Sequence, residues 1–168
     1  MAYPDTPSRA LGGAASGVTV GSVGLGLSAL TASTLPNEQP VPDEQAFATL
    51  NAALENGSTF WNGATFYTSS REEMTNLSLL KRYFEKYPEN ASKVTLSIKG
   101  GFTPFYNFVT GADSSVDALR KELIQANKTL GPNKKIDIFQ PARRDPKVSY
   151  PVSAVRCSCH VHHADFFH

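Results

Sequence analysis

A regular alternation of strand-like and helix-like segments limits this chain to few folds. Strand-forming stretches recur at intervals of roughly 40 residues. They lie at 18–27, 58–62, 93–101 and 134–140. Parallel strands need long crossover connections, so strands that alternate with helices predict an α/β fold with a parallel sheet. Both an open doubly wound sheet and part of a (β/α)8 barrel fit this order.

Amphipathic segments between these stretches predict three helices, at about 43–56, 76–87 and 115–130. The first has acidic residues in its opening turn, where the helix dipole favours them, and Gly57 at its end. Its apolar residues fall on one face: Ala46, Phe47, Leu50, Ala53 and Leu54.

Composition excludes several classes of protein. Apolar residues make up 40% of the chain, charged residues 18%, and the net charge is +1. This balance suits a globular domain and predicts no nucleic-acid partner. The Gly/Pro/Ser-rich segment 1–17 predicts a flexible lead-in rather than a secretory signal. The mildly apolar run 18–32 is too short and too rich in glycine to span a bilayer, so we expect a cytoplasmic protein with no membrane segment.

The segment "GLGLSA" at 24–29 formally matches the G-x-G-x-x-A dinucleotide-binding pattern. That pattern requires a helix to begin at the turn, so that the helix N-terminus faces the pyrophosphate. Here a loop of about 15 residues containing three prolines separates the turn from the next predicted helix. We therefore reject this interpretation.

Polar residues follow the ends of neighbouring predicted strands. Asn62 ends the second strand, Tyr67 follows it in the next loop, and Lys99 ends the third strand. The carboxyl ends of parallel strands share one edge of the sheet, where ligands bind in α/β proteins. A nearby ammonium group favours tyrosinate and lowers the pKa of a tyrosine. Such a tyrosine can protonate a carbonyl oxygen while a hydride arrives at the carbon.

Four segments of the chain, taken in order, resemble the aldo-keto reductase family. They are "VGSVGLGLSAL", "STFWNGATFY", "TLSIKGG" and "DIFQPARRDP". The resemblance covers about 18–150 and is closest to the fungal pyridoxal reductase branch, which shares the "RYFEKYPE" helix end. It implies about four βα units, the N-terminal half of a (β/α)8 TIM barrel, over 18–151.

The resemblance also implies an NADPH-dependent oxidoreductase acting on a small carbonyl substrate such as pyridoxal. Tyr67 corresponds to the general acid, and Lys99 to the residue that tunes it. Asn62 stands at the position of the catalytic aspartate, and Ala142 at that of the histidine, as in the pyridoxal reductase branch. The implied cofactor contacts are Leu27, Ser28 and Asn62. The implied substrate contacts are Trp61, Phe102 and Arg143.

The asparagine at position 62 is the more serious departure. A carboxylate keeps a neighbouring lysine charged and oriented, whereas an amide only forms hydrogen bonds. We therefore expect a severe loss of turnover. Purely structural interpretations compete with these roles: Tyr67 as a packing or surface residue, Lys99 as a solvated strand end, and Trp61 with Phe60 as core and rim packing.

The segment 152–168 differs in composition from the rest of the chain. It contains both cysteines and all four histidines and shows no sustained apolar helical face. We interpret it as an irregular tail without evolved structure, such as a wrongly assigned gene end. A zinc site is the alternative, but structural zinc sites usually combine two separated pairs of ligands, so we expect no specific metal site. Its candidate ligands are Cys157, Cys159, His160, His162 and His163.

A complete (β/α)8 barrel takes about 250 residues, so the chain is expected to supply half of one. Exposed strand edges predict self-association, and the missing later strands predict weak or no NADPH binding. The rival hypothesis is therefore a non-catalytic half-barrel, either a fragment or a pseudoenzyme. A small flavodoxin-like binding domain would explain the order of elements, but not the placement of the tyrosine and the lysine.

Overall fold

The computed structural model describes residues 7–31, 41–67, 74–102 and 111–147. The predicted tail at 152–168, with its candidate metal ligands, lies outside the described residues.

The first ordered element is a short antiparallel hairpin. Strand β1 (Ser8–Ala10) pairs with strand β2 (Thr19–Gly21), with a 3-10 turn at Gly13–Ala15 between them. The prediction of a flexible lead-in over 1–17 was therefore wrong for residues 8–15.

The predicted first strand, 18–27, is divided between two sheets. Its first part belongs to the hairpin, and only β3 (Leu25–Gly26) joins the main sheet. Glycine permits the break, because the backbone at Gly24 runs so close to Phe60 that an added Cβ would lie 2.9 Å from the Phe60 carbonyl oxygen. The Gly21 amide also donates to Thr59 Oγ1 at 3.0 Å, which attaches the hairpin to the residue that precedes Phe60.

The main sheet continues with β4 (Phe60–Ala64), β5 (Thr95–Gly100) and β6 (Ile138–Pro141). All neighbours are parallel, and the spatial order is β3-β4-β5-β6. A doubly wound sheet reverses its strand order at a switch point, whereas a barrel keeps the order of the chain. The structure is therefore an α/β partial (β/α)8 barrel with four strands, and this prediction is confirmed.

In the part of the chain that the structure describes, three α-helices cover one face of the sheet. They are α1 (Asp43–Glu55), α2 (Thr75–Lys86) and α3 (Val116–Leu130), each within one residue of its predicted bounds. Further 3-10 segments lie at Ser28–Leu30 and Pro88–Lys93. No helix in the described ranges is both long enough and apolar enough to cross a bilayer.

Aromatic side chains form the centre of the layer between sheet and helices. Trp61 is fully buried, with ring centroids 5.5 Å from Tyr83 and 6.1 Å from Phe84. Its indole Nε1 donates to the Ser58 carbonyl oxygen at 2.8 Å, so burial leaves no polar atom of the side chain unsatisfied. Burial raises the pKa of the Tyr83 phenol, which donates as a neutral group to Asn51 Oδ1 at 2.7 Å.

A bidentate ion pair joins α1 to α2. Arg82 donates to both carboxylate oxygens of Asp43, at 2.6 and 2.7 Å. These hydrogen bonds hold the pKa of Asp43 below its ordinary value of 3.8. A lowered pKa in the folded state stabilises the fold above the unfolded-state pKa, and this contribution is lost as pH falls through the folded-state value.

We expect Asp43→Asn to lower the free energy of unfolding at pH 7 by about 0.5–1 kcal/mol, because both partners are largely exposed to solvent. The difference from the unchanged chain should shrink as pH falls below about 4, the unfolded-state pKa, and disappear once the Asp43 carboxyl is protonated in the folded state as well. Urea unfolding at several pH values measures it. Asp117→Asn in the first turn of α3 serves as the control for the helix dipole. A difference that persists undiminished at pH 2 would contradict the assignment.

Candidate active site

The centre of the candidate site is a hydrogen bond between two neighbouring strands. The register pairs Asn62 with Ser97 and Ala64 with Lys99, so these side chains share one face of the sheet. Lys99 Nζ donates to Asn62 Oδ1. Asn62 Nδ2 donates to Ser97 Oγ at 3.2 Å and lies 3.5 Å from the Ser97 carbonyl oxygen. The amide at position 62 therefore still contacts the lysine, but as a neutral acceptor.

Tyr67 reaches the same strand ends from the turn that follows β4. We call the group formed by Asn62, Tyr67 and Lys99 the mouth of the sheet. Lys99 Nζ lies 4.9 Å from the centroid of the Tyr67 ring, within the range of a cation–π interaction. The structure thus brings Asn62, Tyr67 and Lys99 together near the carboxyl ends of β4 and β5, although Asn62 lies two residues before the end of β4 and does not end the strand as predicted. Their catalytic roles remain predictions.

Aromatic rings and a second cation form one wall beside this group. Phe66 contacts both Tyr67 and Phe102 edge to face, with centroid distances of 5.3 Å in each case. The Arg143 guanidinium lies 5.8 Å from the centroid of the Phe102 ring. The predicted substrate contacts Phe102 and Arg143 are therefore adjacent to each other and joined to Tyr67 through Phe66. Phe66 itself was missed, although it directly precedes Tyr67 in the sequence.

Two residues that were predicted to contact a ligand, Trp61 and Leu27, have side chains that are buried in the core instead. Trp61 alternates with Asn62 along β4, so it points away from the mouth into the aromatic core. Its predicted role in substrate binding is contradicted, and the alternative of core packing is correct. The Leu27 side chain is likewise fully buried in the core, so it cannot contact a cofactor.

The remaining predicted positions lie near the strand ends. Ser28, a predicted cofactor contact, begins the 3-10 turn after β3 and is partly exposed. Ala142, at the position of the family's histidine, donates its backbone N–H to the Gly100 carbonyl oxygen at 2.9 Å. A methyl side chain there supplies no hydrogen-bonding group to the mouth.

A carboxylate from α3 fastens two of these strand ends together. Glu122 accepts hydrogen bonds from Thr65 Oγ1 and from the Gly101 N–H, each at 2.6 Å. Gly101 has φ +67°, a conformation that favours glycine and turns the chain after Lys99. Thr65 also donates its N–H to the Lys99 carbonyl oxygen at 3.0 Å. Sequence reasoning missed Glu122, because it lies 57 residues from Thr65 and looks like an ordinary polar helix residue.

The group at the mouth combines a phenol, an ammonium group and aromatic surface. A phenol is a proton donor, and an adjacent cation stabilises the phenolate that remains after transfer. In the described parts of the chain, no group of three or more potential metal ligands occurs. A phenol beside an ammonium group can supply a proton to a polar double bond; this role for Tyr67 remains a prediction.

Comparison with protein families and curated proteins identifies similar sequences. The model of the aldo/keto reductase family matches residues 22–159. An "Uncharacterized oxidoreductase" of Schizosaccharomyces pombe is 43% identical over 127 residues, which cover 76% of this chain and 36% of that protein. A "Probable pyridoxal reductase 2" of the same yeast is 44% identical over 132 residues, covering 79% of this chain and 37% of that protein. The chain thus spans little more than a third of the length of these relatives.

Solved structures give the same fold. An aldo-keto reductase from Bacillus halodurans, in its holo form, superposes with a TM-score of 0.57 over 82% of this chain and 40% of that chain. Its sequence identity is 17%, so this likeness concerns the fold alone.

We expect Glu122→Ala to lower the free energy of unfolding by about 2 kcal/mol, because it leaves the Gly101 N–H without its acceptor and the Thr65 hydroxyl with only a longer bond, 3.3 Å, to the Lys99 carbonyl oxygen. Glu122→Gln should cost less than about 1 kcal/mol, since its carbonyl oxygen can still accept from Gly101. Urea denaturation measures both. Glu85→Ala, on the exposed face of α2, is the matched control and should change stability by no more than about 0.5 kcal/mol. Equal effects of Glu122→Ala and Glu85→Ala would contradict the predicted anchoring role.

Proposed function

Because the chain belongs to the aldo/keto reductase family, we propose that it derives from an NADPH-dependent oxidoreductase that reduces an aldehyde to the alcohol. The observation that carries this proposal is the placement of Lys99 Nζ against both the Tyr67 ring and the Asn62 amide. We place its site of action in the cytoplasm.

In the proposed reaction, the Tyr67 hydroxyl donates its proton to the carbonyl oxygen of the substrate. The nicotinamide cofactor, when bound, supplies the hydride that the carbonyl carbon receives. Negative charge grows on the carbonyl oxygen as the hydride arrives, and a positioned proton donor stabilises that charge. The Lys99 ammonium stabilises the tyrosinate that remains, so it assists the proton transfer without touching the substrate.

The neutral side chain of Asn62 limits the rate that we expect for this reaction. Its Oδ1 atom orients Lys99, but a neutral amide attracts the ammonium group more weakly than a carboxylate would. We therefore propose that turnover by this chain is severely impaired relative to a homologue with aspartate at this position.

The chemistry of the mouth fits the reacting end of a nicotinamide cofactor. Polar donors from Tyr67 and Lys99 converge there, and the exposed start of the 3-10 turn at Ser28 borders the end of β3. Ser28 and Asn62 are the residues we propose to contact the cofactor.

An aromatic aldehyde such as pyridoxal is the substrate class we propose. A relative 44% identical to this chain bears the name "Probable pyridoxal reductase 2". The partly exposed Phe66, packed edge to face against the buried Phe102, offers apolar ring surface for a planar substrate, and Arg143 adds a cation nearby.

We expect Asn62→Asp to raise kcat for pyridoxal reduction about tenfold or more, because it replaces a neutral acceptor of Lys99 with a carboxylate. NADPH oxidation followed at 340 nm measures the rate. The control is Asn56→Asp, the same chemical change at the exposed end of α1, which should leave the rate unchanged. An unchanged or lower kcat with Asn62→Asp, in a protein that remains folded, would count against the proposed roles of both residues.

A non-catalytic half-barrel is the second candidate function, and the neutral Asn62 is the observation that favours it. In the described sheet, β3 and β6 are the edge strands, and open edges present unpaired backbone groups to other chains. This candidate would self-associate through those edges.

NADPH binding separates the two candidates. If the chain is a non-catalytic half-barrel, we expect no saturable change in NADPH fluorescence up to about 1 mM. We also expect it to sediment as an oligomer, because open edges favour strand pairing. Saturable binding by a monomer would instead support the reductase.

A further inference from the structure

Behind the mouth, on the helix side of the sheet, lies a fully buried amide. Asn76 belongs to the first turn of α2 and has no exposed surface. A buried amide is costly unless its polar atoms are satisfied, so its partners indicate what it fixes in place.

The Asn76 side chain joins the ends of two adjacent strands. Its Nδ2 donates to the Leu27 carbonyl oxygen at 3.1 Å, directly after β3. Its Oδ1 lies 3.4 Å from the Ala64 backbone nitrogen, which donates to it from the last residue of β4. Leu27 in turn donates its own N–H to the Asn62 carbonyl oxygen at 2.9 Å. The amide therefore braces the backbone on both sides of Asn62.

A threonine, Thr31, links the Asn76 amide to the backbone of Tyr67 by hydrogen bonds. The second hydrogen of Asn76 Nδ2 is donated to Thr31 Oγ1 at 3.0 Å. The Thr31 hydroxyl donates in its turn to the Tyr67 carbonyl oxygen at 3.0 Å. Thr31 is 4% exposed, so water competes little for either bond.

The sequence at Gly63 makes room for this arrangement. A Cβ at Gly63 would collide with Asn76 Oδ1 and would lie 2.9 Å from Ile98 Cδ1. The glycine inside "FWNGATFY" thus allows α2 to approach β4 closely enough for the amide to reach the strand end.

We propose that Asn76 and Thr31 are positioning residues that hold Tyr67 over Lys99 through a hydrogen-bonded relay from α2. The catalytic part of this inference rests on the proposed reductase function; the positional part does not. Neither residue touches the substrate, and both act through the backbone of the turn that carries the phenol. Because reaction rates are sensitive to displacements of about 1 Å, loss of the relay should affect kcat more than KM.

The test compares Thr31→Val with Thr31→Ser in the full chain. Valine has nearly the shape of threonine but neither donates nor accepts, whereas serine keeps the hydroxyl. We expect Thr31→Val to lower kcat for pyridoxal about tenfold with KM changed less than about twofold, and Thr31→Ser to restore most of the loss. Thr49→Val removes an equivalent hydroxyl-to-carbonyl bond on the exposed face of α1 and should change neither constant.

A second readout does not depend on activity. In protein labelled with 13Cζ-tyrosine, the Tyr67 signal, assigned by Tyr67→Phe, should shift or broaden in Thr31→Val and return in Thr31→Ser. If the unchanged chain reduces no aldehyde, the proposed function fails, while this signal still decides the positioning. Should Thr31→Val fail to fold, Thr31→Ala replaces it. The inference is overturned if stability falls while kcat and the Tyr67 signal stay as in the unchanged chain.

Discussion

The parallel pairing of β4 with β5 determines most of what this molecule can do. Its register sets Asn62 opposite Ser97 and Ala64 opposite Lys99, so one face of the sheet presents the amide and the ammonium group together. A shift of one residue in either strand would turn that strand's side chain, Asn62 or Lys99, toward the helix face of the sheet and separate the pair. Register is secured on the opposite face, where Trp61, Leu96 and Ile98 are fully buried. Burial of apolar side chains behind the sheet therefore fixes the chemistry in front of it.

The mouth is also held from behind by polar residues of two helices. Glu122 of α3 joins the turns after β4 and β5, and Asn76 of α2 joins the ends of β3 and β4. Since these bonds do not involve the charge at position 62, the scaffold keeps its geometry with an asparagine there. Exchanging aspartate for asparagine thus changes the electrostatics of Lys99 while leaving its hydrogen-bond acceptor in place.

The sequence predicted those parts of the structure that depend on local periodicity. Helices α1, α2 and α3, and the convergence of Tyr67 with Lys99, follow from apolar spacing and from the common edge of parallel strands. The hairpin β1–β2 was missed, because β1 lies in a Gly/Pro/Ser-rich segment whose composition indicates a flexible loop. Trp61 was assigned in part to substrate binding because strand polarity alone does not say which face is the mouth. Asn76 and Glu122 were beyond prediction, since their partners lie 12 to 57 residues away.

The strand order has a consequence for biosynthesis. Within the described residues, each strand of the main sheet pairs with the strand that precedes or follows it in the chain, and none pairs with a distant segment. As the polypeptide leaves the ribosome, β4 finds β3 already present, and the same holds for β5 and β6. Assembly can therefore keep pace with translation, which shortens the time for which bare strand edges meet other nascent chains.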